Sequence, residues 1–348
     1  MKTVVIAGAV GVIGRGVLAH YETNEDVEII AISRRPPDFP TRARHLAIDL
    51  GERESSERIL AQASSATHFV FCAYQEGRTQ AEQVSVNLTM LRNAVEGLEK
   101  HAPGLTHVTL MQGGKAYGAH IGAFPTPAKE SDPRHMPPNF YYDQEDFLRT
   151  ACEGKRWSWT ALRPEAVAGL AIGTPMNLLM VIAVYGTLSR KLGVPMSFPG
   201  PRPAYDALYQ VTDARLLASA VDWAGETAQC RGQVYNITNG DYFRWSRVWP
   251  RIAEFFSVPV GEPFALSLQE TMADKAPIWE ELVATHSLRP YAYRDIVSWK
   301  FGDAIFKTCY DNITSTIKAR RHGFTDCIDT EDMYLELLHE LRASRVIP

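Results

Sequence analysis

The chain has 348 residues, of which 45% are hydrophobic and 22% are charged, and its formal net charge is −4. This composition is that of an ordinary soluble protein, long enough to bury one large core or two coupled ones. The small negative charge, without a long basic run, argues against binding to nucleic acid or to an anionic membrane. Five cysteines without a C-x-x-C pair indicate neither a disulfide framework nor a zinc site. We therefore expect a cytoplasmic protein that holds no metal.

The first predicted element is a β-strand in TVVIAG, and the glycine-rich turn GAVGVIG follows it directly. Gly8, Gly11 and Gly14 allow a tight turn, a close approach of the backbone to a pyrophosphate, and close packing of the next helix. The spacing is G-x-x-G-x-x-G. Its place between a strand and a helix favours dinucleotide binding over a turn that merely packs a helix on a sheet.

The second predicted strand, in VEIIAIS, ends at Ser33-Arg34-Arg35. A site for NAD usually places an acidic residue here to bind the ribose 2′-hydroxyl, whereas a hydroxyl and two cations suit a 2′-phosphate. The sequence therefore predicts NADPH rather than NADH, and the alternative is that the arginines belong to a solvated strand end. Asp49, at the end of the strand-like HLAIDL, is a candidate adenine contact or a simple turn residue.

Further strands are predicted in HFVFCAY, THVTLMQ and WSWTALRP. Between the first two of these lies a long segment in which Val84, Leu88, Leu91 and Val95 recur at helical spacing. Strands that are apolar on both faces and joined by helices indicate a parallel, doubly wound α/β sheet.

The second half of the chain is less regular. An apolar helix from Leu178 to Leu188 is too short to span a bilayer, which takes about 20 residues. A helix in DARLLASAVDWA, a strand in GQVYNITNG and a helix in WSRVWPRIAEFF follow it. We predict a dinucleotide-binding domain over residues 1–165, to which residues from about 204 to 240 return. A smaller, interleaved C-terminal portion over residues 166–348 would mainly bind the substrate.

The segment PNFYYDQEDF places Tyr141 and Tyr142 at the predicted start of a helix. In the commonest tyrosine-dependent reductases a lysine four residues later favours the phenolate, but Glu145 and Asp146 occupy that helical turn here. Catalysis by either tyrosine would therefore need a cation from elsewhere in the chain.

Taken in order, GAVGVIG, SRR, GGKAYG, NFYYDQEDFL, LRPEAVAG, PMNLL, NITNGDYFRW and WKFGD resemble the motifs of the progesterone 5β-reductase/iridoid synthase-like enzymes. The resemblance runs from Val4 to the closing VIP. These enzymes are extended short-chain dehydrogenases/reductases of Rossmann fold that reduce activated carbon–carbon double bonds with NADPH. The resemblance implies a small α,β-unsaturated carbonyl compound as substrate. Neither nucleic acid nor membrane is expected as a partner, and a homodimer is an open expectation.

The resemblance also implies the catalytic residues. Lys115 of GGKAYG would support Tyr141, whose hydroxyl would stabilise the enolate oxygen formed when hydride adds to the β-carbon. Consecutive helical residues point about 100° apart, so Tyr142 would pack or support rather than face the same spot. Three further residues are implied as walls of the substrate pocket: Tyr74, Met176 and Tyr334.

Two departures from the plant members concern the substrate. Ala116 stands where they carry a histidine, and Tyr74 stands where a tryptophan is usual, so a steroid substrate is not implied. Two alternatives stay open. A carbonyl reductase or alcohol dehydrogenase of the short-chain type would use the same residues but deliver hydride to the carbonyl carbon. A non-catalytic NADP-binding regulator would keep the glycine turn without needing Tyr141 and Lys115 together.

Overall fold

The structure, a computed structural model, describes residues 1–174 and 176–348. Its strands are β1 (Lys2–Ala7), β2 (Val27–Ser33), β3 (Arg44–Ala47), β4 (His68–Phe71), β5 (His107–Met111), β6 (Ser158–Pro164), β7 (Val167–Ala168), β8 (Met196–Ser197), β9 (Leu208–Tyr209), β10 (Thr212–Asp213), β11 (Gln233–Ile237), β12 (Phe243–Arg244) and β13 (Val260–Gly261). Its helices are α1 (Val12–Glu22), α2 (Arg53–Leu60), α3 (Gln80–His101), α4 (Phe140–Ala151), α5 (Leu178–Leu192), α6 (Arg202–Asp206), α7 (Ala214–Glu226), α8 (Trp245–Phe255), α9 (Leu268–Thr271), α10 (Ala276–His286), α11 (Tyr293–Ile296), α12 (Trp299–Phe306), α13 (Ile317–Arg321) and α14 (Thr330–Ala343). Short 3-10 turns occupy Ala61–Ala63, Gly114–Tyr117 and Ala228–Cys230.

Across the described residues, seven strands form one sheet in the order β11-β6-β5-β4-β1-β2-β3, and every neighbouring pair is parallel. The doubly wound parallel fold predicted from the sequence is therefore confirmed. The strand order reverses between β1 and β4, and in such sheets ligands bind in the crevice beyond the carboxyl ends at this point.

Helices cover both faces of the sheet, and β1 shows why. Its alternate residues Val4 and Ile6 belong to the core beneath α1 and α7, whereas Val5 and Ala7 belong to the core beneath α3. Since successive side chains of a strand point to opposite faces, an unbroken apolar run such as VVIA has to be buried on both sides. The result is a three-layer α/β/α arrangement.

The second half of the chain contributes to this sheet and also builds a core of its own. Helix α7 packs against α1, and β11 pairs with β6 at the sheet edge. Helices α5, α8, α12 and α14 form a separate aromatic core around Trp245 and Trp249. The division of the chain near residue 165 stays a prediction. Among the helices that the structure describes, none is long and apolar enough to cross a bilayer.

A fragment that ends at residue 165 tests how far the two halves depend on each other. It lacks β11, which leaves β6 as an open sheet edge, and it lacks α7, which uncovers the apolar face of α1. We expect fragment 1–165 to aggregate, or to lose the sharp thermal transition and the near-UV circular dichroism that the full chain shows in the same buffer. A soluble fragment with one cooperative transition would contradict the expected dependence.

Candidate active site

The glycine turn between β1 and α1 has the shape of a phosphate cradle. Gly8 has a φ of +77°, and a Cβ there would lie 2.8 Å from the Ala73 nitrogen; a Cβ on Gly14 would lie 2.3 Å from the Gly8 carbonyl oxygen. Gly11 is the N-cap of α1 and offers no side-chain acceptor to the first backbone N–H groups of the helix. These N–H groups and the positive end of the helix dipole are free to bind an anion, so the turn fits a pyrophosphate.

The residues after β2 only partly match their expected roles. The Ser33 hydroxyl donates to the Arg35 carbonyl oxygen at 2.6 Å and lies 3.0 Å from His45 Nε2, so it already has partners in its own turn and on β3. Arg34 and Arg35 are both exposed, and their guanidinium groups can turn toward a ligand. The two cations are thus accessible at the end of β2, the Ser33 hydroxyl already has partners, and the role of all three at a 2′-phosphate stays a prediction.

A third arginine at this end of the sheet was not identified from the sequence. Arg15 follows the last glycine of the turn; its guanidinium lies 4.1 Å from the centre of the Phe39 ring and 4.0 Å from the Asp38 carboxylate. Burial lowers the pKa of Arg15, and Asp38 opposes this shift. An arginine directly after the glycine turn was the signal available.

Asp49, the predicted adenine contact, is exposed. One of its carboxylate oxygens accepts a hydrogen bond of 2.9 Å from the Gly51 backbone nitrogen. Its place in this turn leaves the other oxygen as the group that could contact a ligand, and its role stays a prediction.

Asn139 fixes the start of α4 to the turn that carries Lys115. Its Oδ1 caps the helix by accepting from the Tyr141 backbone nitrogen at 3.1 Å, and its Nδ2 donates to the Lys115 carbonyl oxygen at 2.8 Å. Asparagine is a favoured N-cap because its side chain satisfies a helix N–H that would otherwise lack a partner. One amide therefore sets the distance between the two sequence-predicted catalytic segments.

The two neighbouring tyrosines have different surroundings. The Tyr142 hydroxyl donates to the Ala116 carbonyl oxygen at 2.8 Å and accepts from the His135 nitrogen at 3.1 Å. The Tyr141 ring points elsewhere: a Cβ on Gly113, just past β5, would lie 3.4 Å from its hydroxyl. Over residues 1–174 and 176–348 the Tyr141 hydroxyl makes no hydrogen bond, so it is the tyrosine with a free donor.

Aromatic contacts bring Lys115 and Tyr74 into the same group as Tyr141. The Lys115 ammonium lies 5.6 Å from the centre of the Tyr74 ring, and the Phe140 ring lies between the two tyrosines, 5.7 Å from Tyr74 and 4.2 Å from Tyr141. Burial lowers the pKa of Lys115, while the charge of Glu76 raises it.

The electrostatics of Tyr141 differ from the expected pairing. Burial raises the pKa of its phenol well above the ordinary value; Tyr74 and Glu165 add to the rise, and Arg163 opposes it. The cation that acts on this phenol is thus Arg163, whereas the Lys115 ammonium faces Tyr74. The support of Tyr141 by Lys115 stays a prediction.

The two remaining pocket candidates differ in exposure. Met176 is 37% exposed, next to the N-cap of α5. Tyr334 is 0% exposed, and its ring lies 6.0 Å from that of Trp245 inside the C-terminal core. Tyr334 therefore reaches no open surface, and the pocket roles of both residues stay predictions.

Glu165 is a site residue to which the sequence assigned no role. It is 5% exposed and directly follows β6, and its Oε2 accepts from Asn312 Nδ2 at 3.2 Å. Its Oε1 has no hydrogen-bond partner in the described part of the chain. Burial raises the pKa of Glu165 to about 7, and the Asn312 hydrogen bond opposes this rise. An acid at the carboxyl end of a central strand was the available signal.

The raised pKa of Glu165 predicts a pH-dependent effect on stability. The difference between the ordinary value of 4.5 and about 7 corresponds to about 3 kcal/mol. The folded chain binds this proton more tightly than the unfolded chain. The stabilisation is therefore fully present below pH 4.5, declines as the pH rises, and is lost above about pH 7. The side chain of the variant Glu165→Gln does not titrate. We therefore expect the difference in unfolding free energy, variant minus wild type, to increase by about 3 kcal/mol between pH 4.5 and pH 7.5. A difference between the two proteins that stays constant with pH, in urea unfolding curves, would contradict the assignment.

This chain is similar to a known protein family and to several known proteins. The family model of the PRISE-like Rossmann-fold domain matches residues 45–303. The short chain dehydrogenase gsfE of Penicillium aethiopicum is 32% identical, over 100% of this chain and 99% of its own length. An (S)-8-oxocitronellyl enol synthase of Nepeta racemosa is 30% identical, over 87% of this chain and 79% of its own. Among solved structures, UDP-glucose 4-epimerase of Thermus thermophilus, in complex with NAD, has a TM-score of 0.68 at 16% identity and covers 99% of this chain and 100% of its own.

Proposed function

The chain belongs to the family of PRISE-like Rossmann-fold domains, and on that premise we propose that it reduces an activated carbon–carbon double bond with NADPH. The substrate would be an enone or enal that accepts hydride at its β-carbon. The observation that carries this proposal is the free Tyr141 hydroxyl beside Gly113, at the carboxyl end of β5. A relative of 30% identity named as an (S)-8-oxocitronellyl enol synthase adds support, since forming an enol is the chemistry for which such a donor is suited.

The residues that would hold the cofactor lie, like Gly113, at the carboxyl ends of the sheet strands. The backbone N–H groups of the glycine turn would bind the pyrophosphate, and Arg34 and Arg35 would bind the 2′-phosphate. When bound, the nicotinamide supplies the hydride.

Tyr141 would act as a hydrogen-bond donor to the substrate. Hydride addition to the β-carbon moves negative charge onto the carbonyl oxygen, where a neutral phenol is needed. The raised pKa of Tyr141 keeps its proton in place at physiological pH, and a hydroxyl without a protein partner breaks no bond to make the new one. Lys115 would support the phenol electrostatically, and the α-carbon of the enolate would then take up a proton from solvent to give the saturated carbonyl compound.

Cofactor choice is expected to depend on Arg34 and Arg35. A hydrogen bond to a charged group contributes about 1.5–3 kcal/mol, so loss of the contacts should cost at least about tenfold in affinity. We expect the wild type to bind NADPH at least about tenfold more tightly than NADH, and the double variant Arg34→Ala/Arg35→Ala to lose most of that preference, as measured by fluorescence titration. Arg156→Ala, at an exposed arginine before β6, is the matched control and should keep the wild-type ratio. Equal affinity of the wild type for both cofactors would contradict the binding of a 2′-phosphate by Arg34 and Arg35.

The tyrosine pair offers a matched test of the chemistry. Tyr141→Phe removes the free donor and should lower turnover of an enone by about 10²–10³-fold, with unchanged NADPH affinity and thermal stability. Tyr142→Phe removes a hydroxyl that bonds to Ala116 and His135. It should therefore cost about 1–3 kcal/mol of stability while leaving turnover within a few-fold of the wild type.

The reverse result would identify the other tyrosine. If Tyr142→Phe abolished turnover while its folding was intact, and Tyr141→Phe stayed active on every enone and enal, the role given to Tyr141 would be wrong.

A further inference from the structure

Glu165 is a buried titratable group for which the proposed reaction has so far had no use. It lies one residue past β6, 5% exposed, with one hydrogen bond from Asn312 to Oε2 and no partner for Oε1 within the described ranges. An ionised carboxylate taken out of water with a single hydrogen bond is strongly disfavoured, so such a group tends to keep its proton.

A second buried carboxyl, that of Glu145, has charged partners that Glu165 lacks. Glu145 on α4 is also 5% exposed, but three guanidinium groups surround it: Arg149 at 2.9 Å, Arg163 at 3.2 Å and Arg134 at 3.3 Å. Glu145 thus has three cationic partners, whereas Glu165 has one neutral amide and no salt bridge within the described ranges.

Glu165 lies against the same turn as the Tyr141 hydroxyl. A Cβ on Gly114 would lie 2.5 Å from Glu165 Oε1, and a Cβ on the preceding Gly113 would lie 3.4 Å from the Tyr141 hydroxyl. The two glycines let the acid and the phenol approach consecutive residues of one turn. A side chain at Gly114 would displace the carboxyl.

The groups that face Glu165 come from three elements. Tyr141 on α4 and Tyr209 on β9 face Glu165 as phenols. Burial is the largest cause of the raised pKa of each phenol, and the charge of Glu165 raises it further. Asn312, which follows α12 in the chain, faces it as a neutral amide.

The two cations nearest to Glu165 along the chain or turn are engaged elsewhere. Arg163, two residues earlier on β6, binds Glu145 and donates from Nε to Gln112 Oε1 at 2.7 Å. Lys115, next to Gly114, holds its ammonium over the Tyr74 ring.

We propose that the reaction proceeds only while Glu165 carries its proton, because a carboxylate at this place would oppose the negative charge that Tyr141 has to stabilise on the substrate oxygen. Glu165 thus acts through Tyr141, without touching the substrate, and sets the pH range in which the site works. The inference rests on the proposed function of Tyr141.

The sign of the pH effect follows from this arrangement. Below pH 7 Glu165 is mostly neutral and turnover is at its maximum; above pH 7 the carboxylate forms and turnover falls about tenfold per pH unit. We expect the wild-type kcat on an enone to fall about 100-fold from pH 6 to pH 9, with a much smaller change in KM. Glu165→Gln keeps the shape and the neutral charge of the protonated acid. Its kcat should match the wild type at pH 6 and should stay near that level at pH 9.

A readout independent of activity is the infrared carbonyl band of a protonated carboxylic acid. We expect this band in the cofactor-free wild type at pH 6 and its loss as the pH passes about 7. It should be missing from Glu165→Gln over the same range, from pH 6 to pH 9. Glu280→Gln, an exposed acid on α10, is the matched control and should keep both the band and the wild-type pH profile.

The outcomes separate this inference from the proposed function. Parallel pH profiles of wild type and Glu165→Gln in an active reductase would overturn the role of Glu165 alone. A wild type without the band at pH 6 would do the same, whatever its activity. Failure of the wild type to reduce any enone or enal would contradict the proposed function instead.

Discussion

The parallel pairing of β1 with both β2 and β4 is the constraint on which this site depends. In a parallel sheet the carboxyl ends of all strands lie on the same side. The segments that follow the strands therefore meet there, although they are far apart in the chain. The glycine turn follows β1, Ser33 ends β2, and Tyr74, Lys115 and Glu165 follow β4, β5 and β6. Tyr141 is the exception, since it reaches this side from α4 through the amide of Asn139.

Burial at the carboxyl ends of the strands shifts the pKa values of the site residues. Burial raises the pKa of Tyr141 and Glu165 and lowers that of Lys115, so in each case it favours the uncharged form. Such a site contains few competing charges when negative charge appears on a bound oxygen. In surroundings of low dielectric constant, one well-placed phenol then stabilises that charge more strongly than it could in water. The same burial makes a single ionised carboxyl costly, which is why Glu165 and Tyr141 are coupled in this account.

Patterns within short segments were enough to predict the sheet, the glycine turn and the arginines after β2. Each of these depends on local spacing: alternation in a strand, glycines that permit a backbone path, and the residue type at a strand end. Contacts between distant segments were not predictable in the same way. Glu165 is bonded to Asn312, 147 residues later in the chain, and nothing in LRPEAVAG shows that its acid would be buried.

Other side-chain surroundings were equally hidden from local patterns. His45, from the neighbouring strand, lies within hydrogen-bond distance of the Ser33 hydroxyl, a contact that no short motif indicates. Packing of α14 against α8 likewise buries Tyr334 in the C-terminal core, which its place in the sequence does not show, and its pocket role stays a prediction. Side-chain partners across the fold, rather than the elements themselves, were thus the part that sequence patterns missed.

The carbon atom that receives the hydride can be identified with deuterium at the transferable position of NADPH. The purified chain would be incubated with this cofactor and a simple enone, and the product analysed by NMR. We expect a saturated ketone with deuterium on the β-carbon. Deuterium on the carbinol carbon of an allylic alcohol would contradict this expectation, because the carbonyl carbon, rather than the double bond, would then be the acceptor.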